Sequence, residues 1–482
     1  MAAVLLSGAV LAPAAQAALV SQGGVRMGAD VLWSRGVLGE GQSVAVLDEG
    51  FSGLDRSIAL GELPTRDAMT IQVFDPASGL EGLTELGQPT QHGVRMAEIV
   101  HDIAPAARLV LVAYRTPEQF AQAADWIAAQ GIPIVSHSNS FLTPPFDGTG
   151  PAARAVDRAA AAGVLWINSA GNYGQRHWRG TPPADGQVLP VAPPAGSPLL
   201  LSLAWSSPAV TASVAVERQD AAGTWVEVQR STPASPINAR TTMLIADGGA
   251  YRFVVRQSAD PPAALDLFSE TAGLSDQAAP AGSVPTPGDA AGALTVGAVK
   301  WTGVSLEPYS SQGAPGQAKP DVVAPTYVTS NPEWPGTPGT SAATAHVAGA
   351  AALLRQARQA SGLPVAPADL RAALTSTALG LGAPGADPLY GAGMARLDAT
   401  APALSVRIAP GTRRLVRVRA ADGGTIRDVR ISINGRALRV VRRPVAGVRL
   451  PALRPGANRV TVTAEDMAGN VAVRTRVLRG AR

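Results

Sequence analysis

At 482 residues the chain is too long for one ordinary hydrophobic core, so about two to four domains are expected. With 46% hydrophobic and 16% charged residues its composition is globular rather than disordered, and the lack of cysteine excludes disulfides, thiolate metal sites and a cysteine nucleophile. The net charge of +4 conceals an acidic body and a basic tail, because residues 401–482 carry 18 arginines against 4 acidic residues. Lys300 and Lys319 are the only lysines, so the positive charge is nearly all arginine. With so much Ala and Gly, this reads as coding bias, and no nucleic-acid partner is expected.

Residues 1–20 are uncharged, Val4–Pro13 is apolar, and Ala15-Gln16-Ala17 before Ala18 fits a small-residue cleavage site. Residues 1–17 are therefore expected to be a signal peptide, and the protein to be secreted or associated with the cell envelope. The basic start of such a peptide is missing, which points to a true start upstream. A membrane anchor fits less well, given Ser7, Gly8, Pro13 and Gln16. No later stretch reaches the ~18 apolar residues of a spanning helix.

Gln42–Leu47 is a short apolar run ending at Asp48-Glu49-Gly50, the pattern of a buried parallel strand entering a turn. His92–Ile103 has helical apolar spacing at Met96, Ile99, Val100 and Ile103. Strands follow at Leu109–Ala113, Ile132–Val135 and Val164–Ile167, alternating with helices at Pro117–Gln130 and Ala152–Ala162. That alternation predicts an α/β domain with a mainly parallel sheet between two helical layers. After Asn172 the rhythm changes to short alternating runs such as Ala212–Val216 and Tyr251–Val255, and 173–283 reads as an inserted β-sandwich. The α/β pattern resumes at Leu294–Val299 and ends with helices near Ser341–Ala360 and Pro367–Thr377. The expected domains are thus 18–172 and 284–400 for the α/β body, 173–283 for the insertion and 401–482 for a basic, immunoglobulin-like β-sandwich. In that tail, Asn434-Gly435 between two alternating runs predicts a type I′ hairpin.

The chemistry lies in Gly339-Thr340-Ser341-Ala342-Ala343-Thr344-Ala345-His346-Val347-Ala348-Gly349. This string resembles the nucleophile motif of the subtilisin-like serine peptidases, the subtilases. A serine in the first turn of a helix sits among unpaired N–H groups at the positive end of the macrodipole, where its own N–H can help hold an oxyanion. Of five histidines, His92 stands at a helix start and precedes Gly93, as in the family's HG motif. His346 lies on the nucleophile helix itself, and His101 is half a turn away from His92. The resemblance implies Asp48 as the carboxylate, and Asp48, His92, Ser341 follow the subtilisin order. It further implies Asn172 as an oxyanion-hole donor, after Ser169-Ala170-Gly171. Pro287–Val299, Tyr309–Gly313, Lys319–Pro325 and Tyr390–Ala399 resemble successive family signatures, so the resemblance spans roughly 40–172 and 284–400.

Several positions depart from the family pattern. Glu49 replaces the usual Ser or Thr and should raise the His92 pKa. Val94 and Arg95 replace Thr-His, and Ala345 replaces Pro. Ser138-Asn139-Ser140 stands where the family's pocket strand usually ends in Gly, so a side chain at 140 should narrow the primary pocket, whose other wall is Ala170-Gly171. The expected substrate is protein or peptide, the expected state monomeric. The chemistry requires no cofactor; the resemblance allows structural calcium, but no metal ligand is assigned. The rival reading is a weakly active or inactive subtilase-fold binding protein at the cell envelope, which the basic tail would contact.

Overall fold

The computed structural model describes residues 20–83, 88–258, 262–398, 400–409, 414–421, 426–466 and 470–480. The expected signal segment 1–17 lies outside them. Seven strands form a fully parallel sheet: β1 (Ser43–Asp48), β2 (Thr70–Val73), β3 (Arg108–Ala113), β4 (Ile134–His137), β5 (Leu165–Ser169), β6 (Ala293–Lys300) and β7 (Val322–Thr326). Their spatial order is β7-β6-β5-β4-β1-β3-β2. All but the half-buried edge strand β2 are apolar runs buried almost throughout, as expected of a sheet covered on both faces. Strand β4 begins two residues later than its apolar run, because the Ile132 N–H closes helix α5 (Pro117–Ala129) and Pro133 has no N–H to donate.

Helices α4 (His92–Ile103), α7 (Thr340–Ala360) and α8 (Pro367–Ser376) share one core with a face of the sheet. Helices α5 and α6 (Pro151–Ala161) cover the other face, completing three layers. Helix α7 is buried from Thr340 through Leu353, and only its run of Ala, Gly and Thr lets so long a buried helix pack closely. The sheet order turns at β1, with β3 on one side and β4 on the other. Asp48, Ser138–Ser140 and Asn172 all come from the carboxyl ends of β1, β4 and β5 beside that turn, the position where open α/β sheets bind ligands.

Three helices had no clear sequence signal: α1 (Gln22–Arg26), α2 (Ala29–Trp33) and α3 (Leu54–Leu60). The first is pinned to the domain by Ser21, whose N–H donates to Asp102 at 2.9 Å and whose hydroxyl lies 2.7 Å from His346 Nε2.

Besides a two-stranded sheet pairing Pro198–Leu199 with Leu244–Ile245, the insertion holds two larger antiparallel sheets over a common core. One contains Gln187–Val191, Thr211–Gln219, Trp225–Arg230 and Tyr251–Ser258; the other includes His177–Gly180, Leu201–Trp205 and Leu265–Ser269. The insertion braces the segment after β4: the Ser202 hydroxyl donates to Leu142 O at 2.6 Å, and Phe268 packs against Phe146 and Tyr173. The tail likewise forms two antiparallel sheets around one core. Its Asn434-Gly435 turn has φ of +48° and +81°, the type I′ signature. Arg396 donates to Asn470 Oδ1 at 2.6 Å, tying this module to the α/β domain.

Candidate active site

Asp48 closes β1 and its side chain is 1% exposed. Its Oδ1 accepts from the Glu49 N–H at 2.9 Å, and its Oδ2 accepts from His92 Nδ1 at 2.7 Å. Nε2 of His92 is thereby left for other partners, and the ring is 32% exposed. His92 can approach because Gly93 follows it: a Cβ on residue 93 would lie 2.5 Å from Gly50 O. Burial lowers the His92 pKa, but the Asp48 charge and hydrogen bond, with the Glu49 charge, outweigh it and leave the imidazole above its ordinary 6.5. Glu49 acts in the direction expected of it.

Ser341 is the second residue of α7 and is 6% exposed, so its N–H is among those without an intrahelical acceptor. Its hydroxyl donates to Ser138 O at 3.4 Å, and the Ser138 hydroxyl donates to Ser341 O at 3.5 Å. In this structure the Ser341 hydroxyl therefore bonds the segment after β4, not His92. The backbone turns into α7 at Gly339, with φ +99°, while the Gly339 N–H donates to Tyr309 Oη at 2.9 Å and Thr326 Oγ1 donates to Gly339 O at 3.0 Å.

The first residue of α7 also orients Asn172. Thr340 donates to Asn172 Oδ1 twice, from its N–H at 3.0 Å and its hydroxyl at 3.1 Å. With the oxygen held, the amide presents Nδ2 as a donor next to the Ser341 turn. The loop carrying Asn172 is held by Ser311, whose N–H donates to Gly171 O at 3.0 Å and whose hydroxyl accepts from Tyr173 N at 3.0 Å. Ala170, just after β5, is fully buried, and Ser138, Asn139 and Ser140, just after the neighbouring β4, are half-buried. Asn139 Oδ1 is buried and makes no hydrogen bond. Thr340, Tyr309 and Thr326 anchor the site although nothing in their local sequence marks that role.

Three of the other four histidines are occupied elsewhere; burial lowers the pKa of the fourth, His101, whose buried Nδ1 makes no hydrogen bond. His137 Nε2 lies 2.8 Å from Tyr114 Oη and its Nδ1 2.7 Å from Asn168 Oδ1, and burial pulls its pKa down to about 4. His346 bonds Ala342 O and Ser21 and is likewise pulled to about 4 by burial. His177 bonds Ala279 O and Asp266 within the insertion. Among the described residues no group of three or more His, Asp or Glu side chains is placed to hold a metal ion.

Residues 267–393 match the model of the subtilase family, a stretch that contains Ser341 and leaves Asp48, His92 and Asn172 outside. No curated protein matches the chain. The fold is similar to that of the Clostridium perfringens CspB protease, with a TM-score of 0.52 and 17% identity over 76% of this chain and 95% of that one. A lanthipeptide protease (TM-score 0.43, 17% identity, 78% of this chain and 92% of that one) and the prenylagaramide maturation protease PagA (0.44, 16%, 77% and 95%) are more distant. The chain thus matches the subtilase family in sequence over 267–393, and over most of its length it is similar in fold to a protease.

Proposed function

We propose that the protein is a secreted serine endopeptidase acting through Asp48, His92 and Ser341. The observation that carries this reading is the 2.7 Å Asp48–His92 pair at the sheet's carboxyl edge, beside a helix N-terminus that holds both Ser341 and the clamp on Asn172. In the reaction the Ser341 hydroxyl leaves Ser138 O for His92 Nε2, which takes its proton as Oγ attacks the scissile carbonyl. Asp48 holds the imidazole tautomer and stabilises the imidazolium. The Asn172 amide and the Ser341 N–H receive the oxyanion. His92 then protonates the leaving amine, and water repeats the sequence on the acyl-enzyme.

The apolar segment 1–17 supports export, and the 18 arginines of 401–482 support contact with an anionic cell envelope. The protein is expected to act as a monomer, without nucleic acid and without a cofactor for the chemistry. Incubation with casein tests the activity: peptide release by the wild type and none by Ser341→Ala supports it, and equal release by both refutes it. The Ser341–Ser138 hydrogen bond favours a second reading, a weakly active or inactive binding protein at the envelope. Intact casein that is retained by the immobilised protein would select that one.

A further inference from the structure

A cavity of about 500 Å³ opens against His92, lined by Ser52, Gln91, Arg95, Met96, Thr337 and Pro338 among others. It shares no lining residue with the Ser138–Ser140 and Ala170–Gly171 walls of the acyl-side pocket. If His92 protonates the leaving amine, the part of the substrate after the cut lies on this other side of the imidazole. Arg95 stands three residues after His92 on α4, one turn along the same face. Among the described residues the cavity lining holds this one arginine and no carboxylate.

The guanidinium is fixed but not neutralised. Its Cζ lies over the Trp334 ring, 5.0 Å from the ring centre. One Nη donates to Gln91 Oε1 at 3.4 Å, while the buried Nε has no hydrogen-bond partner. Glu98 acts on Arg95 through its charge, but the hydrogen bonds of the neighbouring acids go elsewhere. Glu98 accepts from Ser57, Ser330 and Asn331, and burial pushes its carboxyl up to about 7; Glu333 pairs with Arg56. Among the described residues no carboxylate hydrogen-bonds Arg95. A planar fork of donors beside an aromatic ring, in the lining of a cavity, suits a carboxylate better than any other common peptide side chain.

We propose that Arg95 binds a carboxylate on the leaving-group side of the scissile bond, so that the enzyme selects Asp or Glu just after the cut. This rests on the peptidase reading above. A charge-assisted hydrogen bond of this kind corresponds to about tenfold or more in kcat/KM against the amide isostere.

The test uses the purified full chain and peptides with one fixed acyl half, differing only in the two residues after the cut: Asp or Glu, Asn or Gln, or Lys. Wild type is expected to prefer the acid over its amide by about tenfold or more, Arg95→Gln to bring that ratio near one, and Arg95→Glu to favour Lys. Each ratio is taken within one preparation, so a lower folded fraction in a variant cancels. Cleavage by wild type without an acidic preference, or the same preference in both variants, overturns the Arg95 assignment and leaves the peptidase reading standing. No Ser341-dependent cleavage of any peptide overturns both.

Discussion

Asp48 Oδ2 and His92 Nδ1 stand 2.7 Å apart, the carboxylate sealed from solvent and the imidazole a third exposed. The Asp48 charge and hydrogen bond hold the His92 ring and help to raise its pKa. Replacing Asp48 with Asn leaves a partner of the same size that cannot impose the tautomer, and kcat is expected to fall about 10⁴-fold. Initial-rate kinetics on one peptide substrate measures this.

Neutral His92 is the form that accepts the Ser341 proton, so a raised His92 pKa shifts the acid limb of activity to higher pH. The limb of kcat/KM is expected above 6.5. Glu49→Gln removes one of the raising charges, so its limb should lie at lower pH and its activity at pH 6 should be a larger fraction of the plateau. Superimposable profiles for the two proteins would exclude Glu49 as a contributor.

Oxyanion stabilisation by Asn172 depends on the two bonds from Thr340. Asn172→Ala is expected to lower kcat by about 10²–10³ with little change in KM. Thr340→Val removes the hydroxyl bond and keeps the N–H bond, so its loss should be smaller. If the two variants were equally impaired, the backbone N–H would not be enough to orient the amide.

A side chain at Ser140, in place of glycine, should restrict the residue before the cut to small or medium size. Ser140→Gly is expected to raise kcat/KM for Phe or Tyr at that position relative to Ala. A wild-type enzyme that already prefers large aromatics would contradict the narrow pocket.

The alkaline side of the stability profile should be set by buried acids. Burial pushes Asp102 up to about 9 and Glu98 up to about 7, whereas the unfolded carboxyls titrate near ~4. In the folded chain both bind protons that the unfolded chain has released, so stability falls as pH rises through those values. His137 and His346, pulled to about 4, act oppositely, lowering stability as pH drops from ~6.5 toward 4. Between pH 6.5 and 9 the buried acids act together with His92, whose raised pKa lowers stability in the same direction. In the Ser341→Ala background, which prevents self-cleavage, Tm should decline across that window, and Asp102→Asn should flatten the decline while still accepting from the Ser21 N–H. An unchanged slope would remove Asp102 from the account of alkaline instability.

The parallel strands and the helices starting at His92, Pro117, Pro151, Thr340 and Pro367 were legible because each couples a clean apolar period to a strong boundary, Pro or Gly. The segment from Ser21 to Trp33 was not. Its QGGVR helix has poor intrinsic propensity, and it forms because Ser21 meets Asp102 and His346, contacts separated by 81 and 325 residues. The candidate site shows the same division. Asp48, His92, Asn172 and Ser341 could be singled out by motif and order, and the structure brings them to one edge of the sheet. The pairing of Thr340 with Asn172, of Tyr309 with Gly339, and of Arg95 with Trp334 depends on loops converging from distant strands, which no local pattern encodes.

The most direct test of Ser341 as an activated nucleophile is intact-mass analysis after incubation with a biotinylated fluorophosphonate. Wild type should gain one adduct, mapped by peptide sequencing to Ser341, and both Ser341→Ala and His92→Ala should gain none. A folded wild type that stays unlabelled, or an adduct that persists in Ser341→Ala, would contradict the serine peptidase mechanism.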